Sequence, residues 1–223
     1  MKDQLATQDY VKTIALLSIK DDQPIVKLTH VSSQLGVSIA AVSDMVKKLV
    51  KGGWVTNHVY KGVSLTDSGQ ALGYKLIRHH RLWEVFLNQT LSVPWSDVHD
   101  EAEHLEHAAS ESLMNRIDAY LGYPKVDPHG NPIPTKSGEM TFHQSERPLH
   151  DVPLNEAYTI LRFESLDSQY LDYLARFDVA LGESIVVTDR FDLDGSMVCS
   201  INQKQLQISK IVAGQIYVAP HDA

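Results

Sequence analysis

The segment from Leu28 to Leu65 constrains the fold most tightly. Leu28-Thr29-His30-Val31-Ser32-Ser33-Gln34-Leu35 carries a short helical period and is stopped by Gly36. Ser38 is a natural N-cap, its side-chain oxygen placed to accept from the unpaired N–H groups of a first turn. It opens a second helix over Ile39 to Val50, in which Val42, Val46 and Leu49 are spaced by four and three and face inward. Gly52-Gly53 ends that helix. Trp54 to His58 then reads as a strand, Tyr60-Lys61-Gly62 as a turn and Val63-Ser64-Leu65 as a return strand, with Thr66-Asp67 capping a further helix. Upstream, Tyr10, Ile14 and Leu17 line one face of a helix before Pro24 interrupts. Helix, short glycine turn, helix and hairpin in this order form a winged helix-turn-helix.

In that layout the second helix enters the DNA major groove by its N-terminal end. Ser38, Ala40, Ala41, Ser43 and Asp44 would lie near base edges, where small side chains permit close approach and Ala can touch a thymine methyl. Lys47, Lys48, Lys51 and, at the wing tip, Lys61 could reach phosphates, which position the protein without specifying sequence. The net charge of −8 argues against nucleic acid only if it is spread evenly. Residues 1–65 hold eight Lys and five Asp, net +3, and the rest of the chain holds 12 basic and 23 acidic residues, net −11. A mildly basic head on an acidic body is compatible with DNA binding through the head.

The 223 residues suffice for two or three small domains. We read 1–70 as the winged helix-turn-helix domain, 71–148 as a helical domain ending in a Pro-rich linker, and 149–223 as a small β-barrel module. The fold class is mainly α with small β. The linker spans 123–150, where Pro124, Pro128, Gly130, Pro132, Pro134 and Gly138 break the helical pattern. No run of about 18 apolar residues exists to span a membrane, and the N-terminus has no signal-peptide core. A single cysteine, Cys199, excludes a disulfide framework and a thiolate-rich metal site. We expect a cytoplasmic protein.

Two helical segments carry an unusual set of ligand-type residues. In Arg78-His79-His80-Arg81-Leu82-Trp83-Glu84, His80 and Glu84 are four apart and share a helix face. In Val98 to His107, read as one helix, His99, Glu103, Glu106 and His107 fall on one stripe, beside an apolar stripe of Ala102, Leu105, Ala109 and Leu113. Carboxylates this close repel unless a cation sits between them. A solvated acidic helix is the ordinary reading of such a run; recurrence on two nearby helices favours a metal site. Oxygen and imidazole donors without sulfur suit Mn²⁺ or Fe²⁺ better than copper.

These motifs together resemble the diphtheria-toxin-repressor family of metal-dependent transcriptional repressors, its manganese-responsive branch most closely. The stretches that carry the resemblance are Asp9-Tyr10-Val11-Lys12-Thr13-Ile14, Arg78 to Glu84, His99 to His107, and Asp127-Pro128-His129-Gly130-Asn131-Pro132-Ile133-Pro134. The resemblance covers nearly the whole chain. It implies metal binding and dimerisation by the helical domain 71–148, an SH3-like, FeoA-type C-terminal module and a primary metal site of Asp9, Glu103, Glu106 and His107, with His80 as an additional ligand. Iron-responsive relatives place Met and Cys where this chain has Asp9 and Glu103, which agrees with manganese. A second site is implied either at His80, Glu84 and His99, or at Glu84 with a Cys-Pro-His segment and an acid from the C-terminal module. Here Asp127 stands at the Cys position and His129 at the His, and the acid is Glu164 or Asp167, with Asp167 favoured. Some two-domain manganese relatives have Glu at the place of Lys12, a departure from their paired-metal arrangement. By the same resemblance the chain would be a Mn²⁺-dependent homodimeric repressor of metal-uptake genes on a pseudo-palindromic operator, with Fe²⁺ or Zn²⁺ binding in vitro or as the alternative signal.

In the C-terminal module, Tyr158 to Phe163, Gly182 to Thr188, Met197 to Ile201 and Gln215 to Val218 read as strands, and Ser168 to Phe177 as a helix. Asp192-Leu193-Asp194-Gly195 reads as a turn, lacking the terminal Glu of a calcium loop, and Cys199 as core. Trp83, Leu87, Leu113 and Ile117 are candidates for core or dimer face. Two other function classes compete. Glu101-Ala102-Glu103-His104 is a Glu-x-x-His motif, but a carboxylate-bridged metalloenzyme needs a second copy on another helix. No His-Glu-x-x-His, nucleophile elbow, P-loop or dinucleotide fingerprint is present. We therefore expect no enzyme activity. A metal-independent regulator sensing an organic ligand in the C-terminal module is the other alternative.

Overall fold

Caps and glycines set the N-terminal helices. The computed structural model describes residues 2–164 and 167–221. The first helix, α1, runs Lys2–Lys20. α2, Leu28–Leu35, ends at Gly36 in the left-handed region (φ 64°), whose N–H reaches back to the last turn. α3, Ile39–Lys51, starts at Ser38, whose Oγ accepts from Ala41 N at 3.2 Å. Such a cap is worth about 1 kcal/mol. β1, Val55–His58, and β2, Gly62–Leu65, pair antiparallel from Val55–Leu65 to His58–Gly62. Gly62 is required here: at φ +138° a Cβ would stand 2.1 Å from the Val26 carbonyl oxygen. Val11, Ile14, Leu17, Val31, Val42, Val46, Leu49, Val55 and Val63 close one core under this wing. Thr66 Oγ1 accepts from Gly69 N at 3.1 Å and opens α4, Asp67–Leu91.

The chain divides into two compact units. One holds residues 1–81, 103–115 and 134–139, the other 82–102, 116–133 and 140–223. α5, Val98–Leu105, and α6, Glu111–Tyr120, replace the single helical stripe expected through 107 and beyond. α5 stops at Leu105; Glu106, His107 and Ala108 form a turn, and Ser110 caps α6 by accepting from Leu113 N at 3.2 Å. The expected apolar stripe is interrupted accordingly: Ala102 is buried, whereas Leu113 is exposed. Leu87 and Ile117 are core. Trp83 is half-buried and meets Phe86 edge-on at 5.7 Å.

The expected linker is a packed loop over its first half. Asp127, His129, Asn131 and Ile133 are buried. Its turn is held from within: Asp127 Oδ1 accepts from His129 N at 2.8 Å and Asn131 N at 2.9 Å. His129 O accepts from Phe163 N at 2.9 Å, joining the loop to the C-terminal sheet.

That sheet has β3, Arg147–Pro148; β4, Ala157–Phe163; β5, Ser184–Arg190; β6, Met197–Ile201; β7, Lys204–Ile208; and β8, Ile216–Pro220. Their order is β3-β8-β4-β5-β6-β7, antiparallel throughout. Register shifts between Ile160 and Arg162 and between Val187 and Asp189 bend it in the manner of a small SH3-like module. α7, Ser168–Arg176, and α8, Lys210–Ala213, complete the unit. β7 was not expected from the sequence. Asp192 to Gly195 is a turn, with Asp194 Oδ1 accepting from Ser196 N. Cys199 is fully buried, and burial pushes its thiol up to about 12. No helix among the described residues is long and apolar enough to cross a membrane.

Candidate metal centres

Within the first unit the structure gathers Asp9 from α1, Glu103 from the end of α5, and Glu106 and His107 from the turn after it. His107 Nε2 lies 2.9 Å from Asp9 Oδ1 and 3.3 Å from Glu106 Oε1. Its other nitrogen, Nδ1, donates to Gln8 Oε1 at 2.8 Å. That bond places the proton on Nδ1 and leaves the Nε2 lone pair directed at the two carboxylates. Three electron-rich atoms at such distances are stabilised by a shared cation. Glu106 Oε1 makes the need acute, since it is buried and accepts no hydrogen bond. Burial pushes the Asp9 carboxyl above its ordinary range; His107 opposes this, and the charges of Glu103 and Glu106 reinforce it. The all-oxygen-and-nitrogen donor set fits a divalent ion such as Mn²⁺, Fe²⁺ or Zn²⁺.

The turn that carries these ligands is pinned from α4. His79 Nδ1 donates to the Glu106 carbonyl at 3.4 Å, while His79 Nε2 lies 3.6 Å from Glu111 Oε2. Burial holds the His79 imidazole below its ordinary pKa, that is, neutral. His80 also enters this cluster, its Nδ1 2.7 Å from Glu106 Oε2. So does Lys12, whose Nζ donates to Glu106 Oε2 at 2.5 Å and Glu103 Oε1 at 2.6 Å.

Within the second unit a separate group forms. Ligand atoms of Glu84, Asp127 and His129 all lie within 4.8 Å of one another, and all three residues are buried. His129 Nε2 donates to the Trp95 carbonyl at 2.8 Å, which fixes the tautomer and leaves Nδ1 as a lone-pair donor. That Nδ1 is buried, has no hydrogen-bond partner, and lies 3.8 Å from Glu84 Oε1 and 3.9 Å from Asp127 Oδ1. Trp95 stacks on the His129 ring at 5.9 Å and holds its plane. His99 Nδ1 also lies 3.4 Å from Glu84 Oε1. Gly130 shapes the loop: at φ +87° its absent side chain lets it approach the Leu161 carbonyl, where a Cβ would stand 2.0 Å away. This set also fits a hard divalent ion. Asp167 is not in the group; its Oδ1 accepts from Tyr170 N at 3.1 Å and caps α7. Glu164 pairs with Arg162, which is sandwiched against the Tyr217 ring.

On the winged helix, Ser38, Ala40, Ala41, Asp44, Lys47, Lys48 and Lys51 are exposed, as is Lys61 at the wing tip, and Ser43 is half-buried. Ser43 Oγ donates to the Ile39 carbonyl at 2.9 Å, and Lys47 Nζ donates to Asp44 Oδ1 at 2.8 Å. Lys47 keeps the Asp44 carboxyl below the usual range. Among the positioning residues, Gln8, His79 and Trp95 went unread in the sequence. Gln8 adjoins a ligand and His79 adjoins His80, which is the only signal either gives.

Comparison with known proteins agrees with this layout. Family models match in chain order: the iron dependent repressor N-terminal DNA binding domain over residues 5–63, the iron dependent repressor metal binding and dimerisation domain over 66–135, and the FeoA domain over 147–220. The iron-dependent repressor IdeR of Mycobacterium tuberculosis is 33% identical over 128 residues, 57% of this chain and 55% of the relative. The chain thus spans about half the length of the first curated relatives it matches. The diphtheria toxin repressor of Corynebacterium glutamicum is 31% identical over 163 residues, 70% of each chain. Among solved structures, a manganese-dependent transcriptional repressor in complex with manganese superposes with a TM-score of 0.87 at 34% identity, covering 96% of this chain and all of that one. The manganese regulator SloR gives 0.81 at 33% identity, covering 96% and 98%. With its DNA-binding, metal-binding and FeoA parts in that order, the chain belongs to the diphtheria-toxin-repressor family of metal-dependent transcriptional repressors.

Proposed function

We propose that this protein is a cytoplasmic, Mn²⁺-activated repressor of metal-uptake genes that binds a pseudo-palindromic operator as a homodimer and has no enzyme activity. The carrying observation is that His107 Nε2 faces both Asp9 and Glu106 Oε1, with Gln8 on its other nitrogen. Asp9 belongs to the helix whose Val11 and Ile14 sit in the core of the DNA-binding fold. A bound cation supplies one fixed link between that helix and the Glu103–His107 segment. The residues do the rest: Gln8 orients the imidazole, His79 holds the Glu106 backbone, and the buried Glu106 side chain resists displacement. In a two-fold dimer this fixes the spacing of two recognition helices against two half-sites.

The primary ligands in this reading are Asp9, Glu103, Glu106 and His107, beside His80; Glu84, Asp127 and His129 form the second set, with His99 beside it and Asp167 or Glu164 as its outer acid. Ser38, Ala40, Ala41, Ser43 and Asp44 read bases, and Lys47, Lys48, Lys51 and Lys61 hold phosphates. The working domains are 1–70, 71–148 and 149–223. Support for Mn²⁺ over Fe²⁺ or Zn²⁺ comes from the carboxylate-rich donors and from relatives whose names specify manganese.

Fluorescence anisotropy of a labelled duplex from upstream of a manganese-transporter gene tests this. Binding should require metal, with Mn²⁺ effective where Ca²⁺ is not. Equal binding in chelator and in every metal would refute the reading and move the search to an effector of the C-terminal module.

A further inference from the structure

We propose that Tyr60, at the tip of the wing, enters the DNA minor groove beside each half-site and makes binding depend on base pairs that α3 does not touch. The inference rests on the DNA-binding reading above and extends it. The wing is a stiff arm. β1 and β2 pair over four residues, and Val63 exchanges two backbone hydrogen bonds with Val26, at 2.8 and 2.9 Å. Val55 and Val63 are buried under it. The tip is the turn His58 to Lys61, closed by Lys61 N donating to the His58 carbonyl at 2.9 Å.

Tyr60 occupies the third position of that turn at φ 63°. A positive φ at this position favours glycine or asparagine, and a bulky aromatic residue is costly there. The cost is not offset by packing within the chain: Tyr60 is fully exposed, and Val59 beside it is 68% exposed. An apolar tip held out on a rigid hairpin has its contact outside the molecule.

Charge and position identify the occupant as DNA. The chain carries a net charge of −8, yet residues 45–66 hold four Lys, at 47, 48, 51 and 61, and no Asp or Glu. Between α3 and the wing lies an open cleft of about 390 Å³, with Ser43 and Lys47 on its α3 side and Asn57 on its wing side. With α3 in the major groove, this polar-rimmed cleft takes one phosphodiester strand. The next groove beyond that strand is the minor groove, where the wing tip arrives. At about 6 Å wide it admits an aromatic ring edge-on, though not a helix. Its A·T pairs present only acceptors, N3 and O2, to which the Tyr60 hydroxyl donates, whereas the guanine 2-amino group projects into the space the ring needs. Tyr60 therefore selects A·T pairs in the flank.

The test uses the full-length Mn²⁺-loaded protein and duplexes that it selects from a random library. Hydroxyl-radical footprinting, which cuts sugars from the minor groove, should show protection beside each half-site. Tyr60→Gly should lose that protection and Tyr60→Phe should keep it. In fluorescence anisotropy, a G·C pair placed in the flank should weaken wild-type binding about tenfold, the scale of one mismatched pair. Inosine·cytosine, which lacks only the 2-amino group, should restore it. Tyr60→Gly and Tyr60→Asn should bind all three flanks alike. Circular dichroism melts should place Tyr60→Gly at or above wild type, because glycine suits the turn and no packing is lost. The same footprint and the same flank discrimination in wild type and the glycine variant would overturn the inference and leave the DNA-binding reading intact. Failure of the wild type to select any duplex would overturn that reading and the inference with it.

Discussion

Removing the Gln8 amide should weaken metal binding although Gln8 need not touch the metal. Gln8 Oε1 accepts from His107 Nδ1 at 2.8 Å, which holds the imidazole with Nε2 aimed at Asp9 Oδ1 and Glu106 Oε1. Loss of such an outer partner costs about 10–100-fold in metal affinity. The lower end applies here. Gln8 is neutral and half-buried, and a net hydrogen bond of this kind contributes about 0.5–1.5 kcal/mol, whose upper end, at about 1.4 kcal/mol per decade, is close to tenfold. Calorimetric titration of Mn²⁺ into Gln8→Ala should therefore show a Kd raised about tenfold with unchanged stoichiometry. Gln8→Glu, which keeps the acceptor and makes it anionic, should bind at least as tightly as wild type. Affinity of Gln8→Ala within twofold of wild type would refute the orienting role.

Further outcomes follow from other parts of the structure. Gly130→Ala should displace the loop that carries Asp127 and His129 from β4, because the added Cβ meets the Leu161 carbonyl at 2.0 Å; metal analysis should show loss of one ion per chain while the first centre still loads. Burial holds the His79 pKa below its unfolded value, so the unfolded state takes up the proton first and stability falls as pH drops through about 6.5 toward the folded value. Urea unfolding of the apo protein between pH 8 and 5 should show this decline, and His79→Gln should flatten it. Lys48→Ala, on the exposed face of α3, should weaken DNA binding about equally for all sequences and reduce the salt slope by about 0.9; a change confined to one base position would contradict a phosphate role.

The winged helix was readable because local and global signals agree there. Ser38 caps α3, Gly36 takes the left-handed turn, and Val42, Val46 and Leu49 all point into the core. The ligand cluster was readable by residue type but not by geometry. A helix through His107 would have placed Glu103, Glu106 and His107 on one stripe; α5 instead ends at Leu105. The turn is stabilised by a distant residue, His79, that spacing along α5 cannot reveal. Lys12 stood out as a departure in sequence, yet its partners Glu106 and His80 lie far away along the chain. The Pro-rich stretch misled because its glycine and prolines serve buried turns organised by Asp127. β7 escaped notice because it is an edge strand with only Leu206 and Ile208 buried.

In the function proposed above, one bound cation couples the Asp9-bearing helix to operator recognition. Linkage makes that claim quantitative, since the factor by which Mn²⁺ tightens DNA binding must equal the factor by which DNA tightens Mn²⁺ binding. The decisive measurement is Mn²⁺ titration of the protein with and without saturating operator duplex. The expected result is a lower Mn²⁺ Kd in the presence of DNA, by the same factor that Mn²⁺ confers on DNA affinity, and loss of that difference in Asp9→Ala. An identical Mn²⁺ Kd with and without DNA would contradict it.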